Sequence, residues 1–291
     1  MKPSAFEYYA PATRAEALAL LAEHGDAAKV LAGGQSLVPT MNFRLAQPGI
    51  LVDLNGVADL FGIMDAPDGG LQIAAMTRQR TLERSPQIAA RVPLLAEALP
   101  HIAHPQIRNR GTLGGSLAHN DPAAELPALM VALEAQLCAQ SPAGERWIAA
   151  ADFFQGLFTT ALEPHELLTA IRIPAPPPRT GMAFAEVARR HGDYAMAGAA
   201  AVVTLAADGT VAAARLIYLA IGDGPVPAPS ITAALHGATP TAEATAAAAA
   251  AVDADLDPPT DIHATAAYRR HLTRVLARQT LTLAVARAQA G

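Results

Sequence analysis

The stretch KVLAGGQSLVPTMNFRLAQP, Lys29 to Pro48, runs a short apolar segment, Val30 to Ala32, into paired glycines, Gly33 and Gly34. Gln35 and Ser36 follow, then residues able to wind into a helix. A second stretch, RNRGTLGGSLAHNDPAAELP from Arg108 to Pro127, repeats the arrangement with Gly114, Gly115 and Ser116. Glycine tolerates positive φ and lets backbone N–H groups approach a ligand with no Cβ between them. A helix that begins just beyond adds partial positive charge. Strand, glycines, serine and helix therefore outline a phosphate cradle. They equally outline a tight strand-to-helix turn that binds nothing. Two such turns in one chain, each with a small hydroxyl residue, suit a diphosphate approached from both sides. Replacing Gly33 or Gly114 with valine is then expected to abolish binding and leave a folded chain. Neither stretch reads G-x-G-x-x-G, and G-x-x-x-x-G-K-[ST] occurs nowhere, which disfavours a standard dinucleotide fold or a nucleoside triphosphatase.

A length of 291 residues exceeds an ordinary single core and predicts more than one compact unit. Hydrophobic residues make up 52% and charged residues 16%, which excludes a disordered chain. No apolar run approaches the roughly 20 residues of a membrane span, and the alanine tract Ala246 to Ala251 is bordered by Glu243 and Asp253. The first residues lack the apolar core of a signal peptide, so the expected location is the cytoplasm. With a net charge of −5, aromatics at 4% and scattered basic residues, nucleic acid is not an expected partner. The single cysteine, Cys138, excludes an intrachain disulfide and a cysteine-ligated iron–sulfur cluster in this chain.

Periodicity predicts a helix over Thr13–His24 and buried strands at Ala28–Ala32 and Ile50–Val57. GLQIAAMT reads as a further strand, with Thr77 capping a helix to about Arg84. Helices are expected over Pro93–His101 and Ala123–Glu134, a hairpin turning at Ser141–Gly144, and a strand in ELLTAIRIP. The proline cluster Pro174–Pro178 reads as a linker. Beyond it Asp208-Gly209 predicts a hairpin, followed by helices over Thr241–Val252 and His263–Ala288.

Other reactive residues are read conservatively. His101 and His104, at i and i+3, lack a third ligand and read as loop histidines. In His119, Asp121 and Glu125 a metal set competes with a helix cap by Asp121-Pro122, and the cap is preferred. Cys138 reads as a buried thiol. No serine sits in G-x-S-x-G.

Three stretches together carry a family resemblance: AGGQSLVPTMNFRLAQP, TLGGSLAHNDPAAELP and EVARRHGDYAMAGAAAVV. In content, order and spacing they resemble the FAD-binding medium subunits of the molybdenum hydroxylases, the group of carbon monoxide dehydrogenase and xanthine dehydrogenase. YRRHLTRVLARQTL resembles the C-terminal helix of those subunits. The resemblance implies an α+β, vanillyl-alcohol-oxidase-type fold: two FAD-binding α/β subdomains over residues 1–60 and 61–173, and a C-terminal sheet-and-helix domain over 179–291. It implies Ala32, Gly33, Gly34, Gln35 and Ser36, with Thr112, Gly114, Gly115 and Ser116, at the FAD diphosphate. Glu125 is placed near the adenosine half, Leu168 beside the flavin, and Tyr194 of GDYA at the isoalloxazine ring. Ala185 stands where some relatives carry lysine. No catalytic residue and no metal ligand is assigned to this chain.

The implied activity is that of an oxidoreductase subunit. Electrons come from two [2Fe–2S] clusters of a small subunit, after substrate oxidation at the molybdopterin of a large subunit, and pass from FAD to NAD, a quinone or another acceptor. The implied assembly is a heterotrimer, often doubled to a dimer of heterotrimers. A stand-alone or non-catalytic FAD-binding protein of the same fold is the alternative.

Overall fold

The computed structural model describes residues 2–291, in which three main sheets follow one another along the chain, with a small two-stranded sheet, Phe154–Gly156 against Thr159–Thr160, besides. The first is parallel. Ile50–Asp53 lies in the middle, flanked by Glu7–Tyr9 and Ala28–Leu31. The helix Arg14–His24 packs its Ala17, Leu18 and Leu21 face on this sheet. Thr13 starts it through a capping box: its hydroxyl accepts the Glu16 amide, and the Glu16 carboxylate accepts the Thr13 amide at 3.3 Å. The expected strand over Ile50–Val57 is shorter, because Asp53 Oδ1 accepts the Asn55 amide at 2.9 Å and turns the chain into a 3₁₀ helix.

The second sheet is antiparallel, in the order Ile63–Asp65, Leu71–Ala74, Leu167–Ile173, Gln136–Ser141, Gly144–Ala149. The hairpin at Ser141–Gly144 forms as read. Thr77 caps no helix. Its side chain is buried and bonds both the amide and the carbonyl of Gly62 at 3.0 Å, while the helix begins later, at Gln79. Asp121 also departs from its reading. Its carboxylate accepts the Ala123 amide at 2.9 Å and closes a turn, so the helix Glu125–Ala132 starts four residues on.

The third sheet pairs Thr180–Ala188, Ala195–Leu205, Val211–Leu219 and Val226–Pro227 in sequence order, all antiparallel. Both its faces are apolar, and alternation assigns each a different layer. Met182, Phe184, Ala200, Val202 and Ile217 join the core of the second sheet's helices. Ala183, Ala199, Ala201, Leu216 and Tyr218 face the long C-terminal helix Ala266–Ala290. That helix lies so close that a Cβ on Gly181 would stand 1.9 Å from the Ala284 carbonyl oxygen. Across the join between second and third sheets, Arg287 reaches Glu97 at 2.7 Å, Arg215 reaches Glu134 at 3.0 Å, and the Ala220 amide donates to the Pro122 carbonyl at 2.8 Å.

Candidate functional site

The strand Ala28–Leu31 releases the chain into Ala32–Ser36 before the short helix Leu37–Asn42. The amides of Gly33, Gly34, Gln35 and Ser36 donate to no acceptor among the described residues. The Ser36 hydroxyl makes no hydrogen bond there either. Four consecutive donors left open are what an anion needs. The left-handed position is Gly34, at φ 73°, rather than Gly33.

The second loop meets the first directly. A Cβ on Gly33 would lie 2.4 Å from the Arg110 carbonyl oxygen, and one on Gly115 would lie 3.1 Å from Ala32 Cβ and 4.0 Å from the Gly33 nitrogen. The two glycine-rich loops thus approach each other backbone to backbone, with no side chain between Gly33 and Arg110. They do not contribute equally. The Gly114 amide donates to Ala75 O at 2.7 Å, and the Gly115 amide to Thr112 Oγ1 at 3.0 Å, where Thr112 caps the helix Leu113–His119. Open amides belong to the first loop, while the second backs it and presents the free Ser116 hydroxyl.

Two expectations change accordingly. Gly33 and Gly114 do not hold positive φ, and their bareness serves close packing of protein backbone. At Gly114 a Cβ would stand 2.5 Å from Ala75 Cβ, so valine there strikes the fold before it strikes a ligand.

Beneath the loops lies a polar brace that sequence reasoning missed. Arg78 donates to the Arg110 carbonyl and to Asn55 Oδ1, and its guanidinium lies 5.5 Å from the centre of the Phe61 ring. Asn55 donates to Ala32 O at 3.0 Å and to Asp53, which also accepts from Tyr8 at 2.5 Å. Both loops therefore hang on one chain of hydrogen bonds. Burial pushes the Asp53 carboxyl up, but the bonds from Tyr8 and Asn55 and the Arg110 charge outweigh it, and the group is held below its usual range. Arg78 is lowered, by burial first and then by Arg110, with Asp53 opposing. Two guanidiniums, Arg78 and Arg110, act on the single carboxylate Asp53, a positive balance that suits a diphosphate. No motif spans Asp53, Asn55, Arg78 and Arg110; they meet only after folding.

The remaining assigned residues sit apart from the loops' backbone. Leu168 is 5% exposed in the core of the second sheet, beside a bulge in its pairing with Gln136–Ser141. Tyr194, 65% exposed, stands in the turn of the third sheet whose Gly192 packs on His104. Glu125 is 7% exposed, and the charged groups acting on it are Glu186, His101 and Asp121. His101 is no free loop histidine: its Nδ1 lies 3.3 Å from Glu186 Oε1. No group of three or more metal-ligating side chains forms among the described residues. Cys138 is buried, as read.

Residues 4–176 match the family described as the FAD binding domain in molybdopterin dehydrogenase. The chain belongs to that family. Residues 182–284 match the C-terminal domain of the carbon monoxide dehydrogenase flavoprotein. The 6-hydroxypseudooxynicotine dehydrogenase complex subunit alpha of Paenarthrobacter nicotinovorans is 44% identical over 99% of this chain and 97% of its own length. Among solved structures, carbon monoxide dehydrogenase from Hydrogenophaga pseudoflava superposes with a TM-score of 0.94 at 42% identity, covering 99% of both chains. Quinoline 2-oxidoreductase from Pseudomonas putida gives 0.93 at 39% identity, again over 99% of both chains. This FAD-family chain is therefore a medium flavoprotein subunit of the molybdenum hydroxylase type, an oxidoreductase component with FAD as its cofactor.

Proposed function

We propose that the paired loops Ala32–Ser36 and Thr112–Ser116 hold the diphosphate of FAD. The observation that carries the reading is the run of open amides from Gly33 to Ser36, set over the Arg78–Asn55 brace and facing the bare Gly115. Backbone donors and the hydroxyls of Ser36 and Ser116 would bind the phosphate oxygens, and Arg78 with Arg110 would offset their charge. The bound flavin supplies the electron-carrying chemistry, accepting and releasing electrons singly or in pairs. The chain's own residues place it: the first and second sheets hold its phosphates, and the third sheet brings Tyr194 toward it. The residue ranges 1–60, 61–173 and 179–291 are the corresponding functional units. Leu168 would contribute to the apolar wall beside the ring system. Glu125, 7% exposed at the start of the helix Glu125–Ala132, would be the acidic residue toward the adenosine half.

Within the assembly, this subunit would receive electrons from the small [2Fe–2S] subunit, fed by the large molybdopterin subunit, and deliver them to NAD, a quinone or another acceptor. Relatives named as subunits or medium chains of dehydrogenase complexes support partners of this kind, and a dimer of heterotrimers is the proposed assembly. Among the described residues no helix is long and apolar enough to cross a membrane, and the cytoplasm is the proposed location. The test is a visible spectrum of the purified complex before and after anaerobic addition of its reducing substrate. Bleaching of the flavin bands in wild type, lost together with bound FAD in Arg78→Ala, supports the reading. Full flavin retention and bleaching in Arg78→Ala would contradict it.

A further inference from the structure

The helix Leu113–His119, which presents Ser116, ends on Asn120 in the left-handed conformation, at φ 47°. Asparagine tolerates that angle, so the chain turns there without a glycine. The Asn120 side chain is fully buried. Its Nδ2 donates to the carbonyls of Gly156 at 2.7 Å and Thr159 at 2.9 Å, and the Asn120 carbonyl accepts the Phe158 amide at 3.3 Å. Only the NH2 end of an amide can meet two carbonyls, which fixes its orientation. Oδ1 is left buried without a donor among the described residues, so the clamp is made at a cost in free energy. What it holds is an apolar turn. The hairpin of Phe154–Gly156 and Thr159–Thr160 turns through Leu157 and Phe158, 52% and 54% exposed, with Phe158 at φ 52°. A bulky residue adopts such an angle only where its surroundings impose it.

The Phe158 ring meets the His119 ring at 5.0 Å between centroids. His119 lies three residues beyond Ser116, so the two share a helix face one turn apart, with about 5–6 Å between Cβ atoms. On the other side of Asn120, Asp121 neighbours the Tyr194 phenol, which burial and then that carboxylate push up to about 12. Three consecutive residues thus gather two exposed aromatic side chains one turn past the Ser116 hydroxyl. We propose that Asn120 is a positioning residue for the flavin: by clamping the hairpin to the end of its helix, it sets Phe158, backed by His119, as an aromatic wall of the ring site alongside Tyr194. Phe158 takes this role on the reading that the paired loops hold the diphosphate, since the ring then lies beyond Ser116 on the side where Tyr194 arrives. Asn120 acts through Phe158 alone. An aromatic wall excludes water from the ring and disfavours the charge added on reduction.

The test sets Asn120→Gly, which keeps the left-handed angle and removes the amide, beside Phe158→Ala, an exposed truncation that leaves the clamp in place. Asn120→Asp, which keeps the shape but offers no donor, should match Asn120→Gly. Amide hydrogen exchange of the full chain over residues 154–160 should quicken in both Asn120 variants and stay near wild type in Phe158→Ala. In the assembled complex each variant should keep near-stoichiometric FAD. A redox titration should show the flavin potential shifted upward by similar amounts in Asn120→Gly and Phe158→Ala, with no further shift in the double variant. The FAD-to-riboflavin affinity ratio reads the diphosphate grip separately and should stay at the wild-type value throughout. With that ratio intact, an unmoved potential or lost FAD in Phe158→Ala, additive shifts in the double variant, or unchanged exchange in the Asn120 variants would each overturn the proposal and leave the diphosphate reading standing. A ratio near one in wild type would instead remove the diphosphate reading, and the proposal with it.

Discussion

Gly34 and Gly114 carry opposite kinds of information although both belong to paired glycines that run into a serine. Gly34 needs its left-handed angle, at φ 73°, whereas Gly114 needs room against Ala75. Gly114→Val should therefore lower stability by about 1–3 kcal/mol through overpacking, read as a drop in Tm of the apoprotein. An unchanged Tm with lost flavin would return Gly114 to a ligand-facing role. Ser36→Ala touches no protein partner. It should leave the apoprotein Tm unmoved and weaken FAD by on the order of tenfold, the value of one hydrogen bond to a charged oxygen. These glycines were visible in the sequence because paired glycines are a local signal. Which of them faced a ligand was not, because the answer depends on Ala75, some forty positions away along the chain.

At the scale of elements, the strand ends are tied by the Tyr8–Asp53–Asn55–Arg78 chain. Asp53 is held below its usual value of 3.8, so the stability it gives is present above about pH 4 and is lost as pH falls through its folded value. FAD should dissociate from wild type on acidification in that range, and Asp53→Asn should flatten this dependence. Flavin fluorescence recovered against pH measures it, and identical profiles for both proteins would remove Asp53 from the brace. The helix Arg14–His24 and the hairpin at Asp208-Gly209 were legible because capping box and turn chemistry act over a few residues. Thr77 was misread for the converse reason: its hydroxyl is taken by Gly62 across the sheet, a tertiary bond that overrides a local capping preference.

Over the whole molecule, family, fold and cofactor were readable from three long stretches whose order matches the medium subunits, and the matches over 4–176 and 182–284 agree. The brace was not readable, since it joins Tyr8, Asp53 and Asn55 to Arg78 and Arg110, which lie far apart along the chain. Tyr194 arrives on the third sheet, so Tyr194→Ala should keep near-stoichiometric FAD while changing the flavin reduction potential in the assembled complex. A redox titration decides it; loss of FAD, or an unchanged potential, would contradict the role. The flavin should also be noncovalent, because neither loop offers histidine or cysteine, and acid precipitation should release all yellow colour. The most direct measurement compares affinities of the apoprotein for FAD and for riboflavin, which lacks the diphosphate. If the first loop and its facing serine grip that group, wild type binds FAD far more tightly. Ser36→Ala/Ser116→Ala should then shrink the FAD-to-riboflavin ratio by on the order of tenfold or more, with riboflavin affinity unchanged. Equal loss for both ligands, or an unchanged ratio, would show that the diphosphate is held elsewhere.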